Sequence, residues 1–197
     1  MNHSIDHSHQ DSDLFGLLYG FRFRPGEKGE QIDSATALQA LRQPDDPEEF
    51  LWLHLNLAHA ACERWMQANL DLPEEFFEAL HEGSRSTRIE HVDSALLAVV
   101  NDVVFNFSSM VSSDISTLWV CARSRLLISA RLQPLHSVDK LRSSVKAGES
   151  FRSPLALLVH LLRDQGEVLT QIVRKISICV DHIEDQLLSS RLSTTRG

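Results

Sequence analysis

No stretch of this chain offers the roughly 20 consecutive apolar residues that a helix needs to cross a bilayer. The best apolar runs, Ala95 to Val100 and Leu155 to Leu162, are far shorter, and the second ends at Arg163-Asp164. The N-terminus is polar and acidic, so no signal peptide is read there. No cluster of Lys and Arg exists to neutralise phosphates, and the net charge is −8, which argues against nucleic acid as a partner. Cysteine is scarce. Cys62, Cys121 and Cys179 are odd in number, far apart and never spaced as CxxC. That excludes a disulfide framework and a four-thiolate zinc site, and it fits a reducing cytosol. The common catalytic signatures are missing as well: no GxGxxG, no Walker loop, no GxSxG and no HExxH. His81-Glu82-Gly83 starts like a zincin motif but lacks the second histidine.

What is present is the composition of an ordinary globular protein. Apolar residues make 43% and charged residues 23% of 197, enough for one domain with an extension. The first 13 residues, MNHSIDHSHQDSD, carry almost nothing apolar and read as a disordered tail. Its His3, His7 and His9 with Asp6, Asp11 and Asp13 could chelate a metal, but nothing fixes their geometry. At the other end, the chain runs from Ser153 to Arg191 with no proline after Pro154. Leu155, Leu158, Leu162, Leu169, Ile172, Ile176, Cys179, Ile183 and Leu187 form a helical stripe, with Gln165 in its one polar slot. Such a helix is about 55 Å long, too long for the domain before it to cover. It must pack on a partner, project outwards or break near Gly166.

Between these ends the pattern alternates strand and helix and then turns to hairpins. Strands are expected over Leu14 to Arg24, Phe50 to Asn56, Thr87 to His91, Ala95 to Val104, Ser116 to Ala122 and Arg125 to Arg131. Helices are expected from Ala35 to Leu41 behind a Ser34 cap, from His59 to Leu70 with Trp65 as its anchor, after Pro73 to Gly83, and from Leu135 to Lys146. Asn106 to Ser113 reads as a loop, and Val92-Asp93-Ser94 as a tight turn. The fold class is α/β (α+β): a mixed central sheet between helical layers, an α/β/α sandwich, with a long C-terminal helix. The expected division is a tail at 1–13, the α/β/α domain at 14–150 and the long helix at 151–197.

Two acidic groupings carry the candidate chemistry. Glu74, Glu75, Glu78 and His81 lie on the helix after Pro73, with Glu78 and His81 three apart and so on one face. Asp181, His182, Glu184 and Asp185 lie near the end of the long helix, with Asp181 and Asp185 on one face. Carboxylates suit magnesium, and a carboxylate with imidazole suits zinc. One helix cannot complete a six-oxygen cage, so either group needs a second helix or another subunit. The bland alternative for both is a solvated helix face. A different class of function, a cytosolic metal-dependent hydrolase, requires His54, His59 and Cys62 to converge on one open coordination site. A third is a protein-interaction module built on the long helix. No organic cofactor is indicated.

The order of motifs resembles the CorA-type divalent-cation transporters. The resemblance rests on WLHLN at Trp52 to Asn56 and on Leu72-Pro73 followed by Phe76-Phe77-Glu78-Ala79-Leu80. It rests also on Arg85 to Glu90 before a hairpin, on Arg125 to Ser129, and on Ile183-Glu184-Asp185-Gln186-Leu187-Leu188. Ser86 and Thr87 stand where the family has an Arg-Pro pair. WLHLN and LLISAR lean towards the ZntB-like, zinc-transporting branch. The resemblance implies a cytoplasmic regulatory domain of an inner-membrane transporter for zinc or magnesium, forming the wall of a homopentameric funnel, and not an enzyme. It implies a stalk, two membrane helices and a Gly-Met-Asn loop, none of which this chain carries, so the chain is expected to be a fragment on the cytoplasmic side. Glu78 matches the family's acidic position that faces a neighbouring subunit across a regulatory cation.

Overall fold

The structure, a computed structural model, describes residues 15–44, 46–82, 86–103 and 115–194, with side chains through 187. The tail at 1–13 and the loop at 106–113 lie outside the described residues. Seven strands form one sheet: β1 (Leu17–Phe23), β2 (Glu30–Ile32), β3 (Phe50–Asn56), β4 (Arg88–Val92), β5 (Ala95–Val103), β6 (Ile115–Arg123) and β7 (Leu126–Arg131). Their order is β2-β1-β3-β7-β6-β5-β4. All neighbours are antiparallel except β3 and β7, which run parallel at the centre. The sheet is therefore mixed, as expected from a chain that alternates first and hairpins later.

Both faces are covered. Helices α1 (Ser34–Arg42), α2 (Cys62–Asn69) and α3 (Glu74–Glu82) lie on one face. Ala37, Trp65, Met66 and Phe76 there meet Leu51, Leu53 and Leu55 of β3. Helices α4 (His136–Lys146) and α5 (Pro154–Thr194) cover the other. Val138, Leu141, Leu157, Leu158 and Leu161 there pack on Phe21, Trp52, Val100 and Leu127. Central β3 is thus buried on both sides, which is why its polar-looking face reads Trp52 and His54 and still sits in a core.

Local rules account for most boundaries and correct a few. Asp33, not Ser34, caps α1: its Oδ1 accepts Thr36 N–H at 2.8 Å. The short edge strand β2 has no apolar alternation to announce it, with two of its three residues exposed. Helix α2 starts at Cys62 because His59 and Ala61 are taken up in the preceding turn. Trp65 anchors it, 6% exposed.

The long helix does not break at Gly166. It runs 41 residues, about 60 Å, and its contacts with the sheet fall in its first four turns, up to Gln165. The face that packs is Leu157, Leu158 and Leu161, which shares only Leu158 with the expected stripe; Leu162 of that stripe packs in part, and Leu155 is 54% exposed. Buried Gln165 donates to the carbonyl of Asn101, and Lys140 Nζ bridges Asp164 at 2.7 Å and Glu167 at 2.5 Å. Beyond these contacts the helix leaves the domain, with Val173, Ile176, Ile183 and Leu187 exposed.

Candidate functional site

Leu72-Pro73 starts α3, and Glu74 and Glu75 favour the positive end of its dipole. Phe76 and Ala79 bury one side of the helix, and Trp119 Nε1–H of β6 donates to the carbonyl of Ala79 at 2.7 Å. With that side fixed to the sheet, positions 75, 78 and 82 turn towards the β4–β5 hairpin. They line a groove of about 400 Å³ with Arg88 and Glu90 of β4, floored by Leu97 and Val99. Four carboxylates face one arginine there. Arg88 reaches Glu90 at 2.9 Å and Glu82 at 3.3 Å and so offsets part of their charge.

Glu78 therefore lies in an acidic groove drawn from two elements. His81 has another partner: its Nε2 stands 3.0 Å from Glu63 Oε1 of α2. Asp181 and Asp185 are exposed on the projecting part of α5. Among the described residues, no three His, Cys, Asp or Glu side chains stand together as ligands for one ion. The carboxylates of the groove come from α3 and from β4, not from one helix. The groove's oxygen-only donors suit a hard divalent cation better than a soft one. Sequence reasoning missed Glu82, Arg88 and Glu90. The signal for Glu82 was its place one turn after Glu78, whereas Glu90 joins only through the packing of the hairpin.

The hydrolase alternative does not survive. His54 faces α4, where it stacks on Tyr19 at 4.9 Å, while Cys62 belongs to the core on the opposite face of the sheet. The fully buried His54 has no open coordination position, since its two ring nitrogens face Ser129 and Arg131. Burial, with Arg131 and Arg142 nearby, holds it well below the usual histidine range. Burial likewise pushes the Cys62 thiol up to about 11, so it is no nucleophile at neutral pH.

The fold and groove define a mixed-sheet α+β domain with a projecting helix, a shape that occurs among solved structures. Full-length CmaX shares it with a TM-score of 0.76 and 24% identity, covering 88% of this chain and 52% of that one. The cytoplasmic domain of ZntB from Vibrio parahaemolyticus shares it with a TM-score of 0.67 and 14% identity, covering 85% and 64%. The family model described as CorA-like Mg2+ transporter protein matches residues 47–196, and the chain belongs to that family. Among curated relatives, the divalent cation transporter CmaX of Pseudomonas aeruginosa is 24% identical over 181 residues, 90% of this chain and 53% of that protein. The zinc transport protein ZntB of Yersinia enterocolitica is 20% identical over 167 residues, 85% and 49%. The chain thus spans about half the length of these relatives. Its family is one of transporters rather than of enzymes. No helix among the described residues is long and apolar enough to cross a membrane.

Proposed function

We propose that this chain is the cytoplasmic regulatory part of a CorA/ZntB-like transporter for divalent cations, zinc or magnesium, in the inner membrane. In this reading residues 14–150 are the domain body and 151–197 the helix that connects it to a stalk and membrane domain. The observation that carries it is the acidic groove around Glu78, incomplete alone, in a chain whose fold matches a ZntB cytoplasmic domain. A cation there would be shared with an acidic group of a neighbouring subunit in a homopentamer. Asp181 and Asp185, and His81 with Glu63, are secondary acidic positions for the same ions. Binding would bias the assembly between two arrangements by its differential affinity for them.

The test is calorimetric titration of zinc and magnesium into the assembled protein and its Glu78→Ala variant. The expected result is loss of one class of sites in the variant. An unchanged isotherm would remove Glu78 from the reading. The exposed apolar residues of α5 support self-assembly as the setting, since a seam of this length in water demands a partner.

A further inference from the structure

Three arginines gather at one place in a chain of net charge −8. A cleft of about 320 Å³ opens where α1 and α2 end beside the β6–β7 turn. Arg42, Arg123 and Arg125 line it, with Asn69, Ser124 and Asp71. We propose that this cleft binds a small phosphate-bearing anion. The proposal is independent of the cation groove.

Two of the guanidiniums are held in place by the fold. Arg123 bonds the carbonyl of Asp71, reaches its carboxylate at 2.5 Å and donates to Ser94 Oγ at 2.9 Å. Arg125 donates from Nε to the carbonyl of Glu49 at 3.0 Å and from Nη2 to that of Ala40 at 3.5 Å. The second bond caps the last turn of α1 and offsets the negative end of its dipole, which would otherwise repel an anion. None of these bonds uses Arg125 Nη1. The buried carboxylate of Glu49 lies behind Arg125 at 3.8 Å and is shared with Arg24 at 3.5 Å.

Arg42 differs from both. It is exposed on the last turn of α1 and enters no hydrogen bond or ion pair among the described residues. Its planar fork is free to close on an oxyanion from the side opposite Arg125. Against three guanidiniums the cleft wall sets a single carboxylate, that of Asp71. Two leucines of α1 and one of β7 supply an apolar wall for the body of an ester. A phosphate offers oxygens in several directions at once, which suits donors that converge from α1 and the β6–β7 turn.

The probes are inorganic phosphate and n-butyl phosphate, titrated calorimetrically into the chain in a phosphate-free buffer of low ionic strength. The expected result is saturable binding of at least one probe, weakened about tenfold or more in Arg42→Gln and less in Arg42→Lys, since only the first loses the charge. Tighter binding of the butyl ester than of phosphate identifies an organic phosphate as the ligand; equal binding identifies the free ion. Glu78→Ala retains the binding. The proposal is overturned if neither probe binds, if Arg42→Gln binds as the wild type does, or if Glu78→Ala abolishes binding. Arg42 is exposed and enters no hydrogen bond or ion pair among the described residues, so its substitution is expected to leave the thermal midpoint in place.

Discussion

Arg131 Nε donates to His54 Nε2 at 3.0 Å. A guanidinium accepts no hydrogen bond, so that ring nitrogen carries the lone pair and the imidazole proton sits on Nδ1. Nδ1–H then donates to Ser129 Oγ at 2.8 Å, and the same oxygen accepts Trp52 Nε1–H at 2.8 Å. The parallel pairing of β3 and β7 sets His54 opposite Ser129, while Tyr19 of β1 pairs with His54 from the other side. Sheet register thus assembles a buried polar row, and Arg142 of α4 closes it, 4.6 Å over the Tyr19 ring.

The neutral state of His54 makes stability depend on pH. Its native pKa lies well below the value of about 6.5 that it regains on unfolding. Below about pH 6.5 the unfolded chain takes up a proton that the native chain refuses, so stability falls as pH falls, by up to about 1.4 kcal/mol per unit for this group. Urea denaturation of wild type and His54→Gln between pH 5 and 7 is expected to show a shallower slope in the variant. Parallel slopes would mean that His54 takes up its proton equally in the native and the unfolded protein.

Ser129→Ala removes the oxygen that accepts from both Trp52 and His54 and leaves two buried donors without it. Each such donor costs about 1–3 kcal/mol, so a loss of roughly 2–6 kcal/mol is expected in the denaturation free energy. Ser129→Thr, which keeps the hydroxyl, is expected to lose less. Equal stability of Ser129→Ala and wild type would show that water replaces the hydroxyl.

The buried row also shows what sequence could and could not reveal. Phe50 to Asn56 is legible as a strand to the residue, because both its β-propensity and its flanking turns agree. Its pairing with β7, 75 residues away, is not, since register is fixed by contacts distant in sequence. The same limit applies to the groove. Glu78 follows from its place after Pro73, but Glu90 joins it only when the β4–β5 hairpin docks. The stripe on α5 misled for another reason: one helix carries two apolar faces, and a single periodic reading merges them.

Helix α4 offers a second case of help from afar. Its N-cap residue, Leu135, has no side chain able to cap it. Asp102 of β5 does so instead, with Oδ2 accepting from Ser137 N–H at 3.0 Å and from its Oγ–H at 2.5 Å. Asp102→Ala is expected to lower stability by about 2–4 kcal/mol, as a lost cap plus a buried hydroxyl left unpaired. Thermal unfolding followed by circular dichroism measures it; a loss under about 0.5 kcal/mol would mean that α4 needs no such cap.

Thiol chemistry separates the three cysteines. Cys62 and Cys121 are buried, their thiols pushed up to about 11 and about 12, whereas Cys179 is exposed on α5. Titration with a chromogenic disulfide at pH 8 is expected to show one fast thiol in the native chain, abolished by Cys179→Ser. The other two react only on denaturation. Two fast thiols in the native chain would contradict this packing.

The projecting part of α5 yields the last prediction. Leu169, Val173, Ile176, Val180, Ile183 and Leu187 follow one another in steps of four and three, and every one is exposed. The sequence Leu155, Val159, Leu162 and Gly166 continues the same steps backwards, so one seam of coiled-coil spacing runs along the helix, beside the face that packs on the sheet. Burying an Ile side chain from such a seam contributes about 1.5–3 kcal/mol. Ile176→Glu with Ile183→Glu is therefore expected to abolish concentration-dependent self-association in sedimentation experiments. Among the described residues, both lie beyond the last buried side chain of the helix, at Gln165, so the domain's unfolding midpoint is expected to hold. Undiminished association in the double variant would show that assembly uses another face, and a collapsed midpoint would show that the distal helix folds back onto the domain.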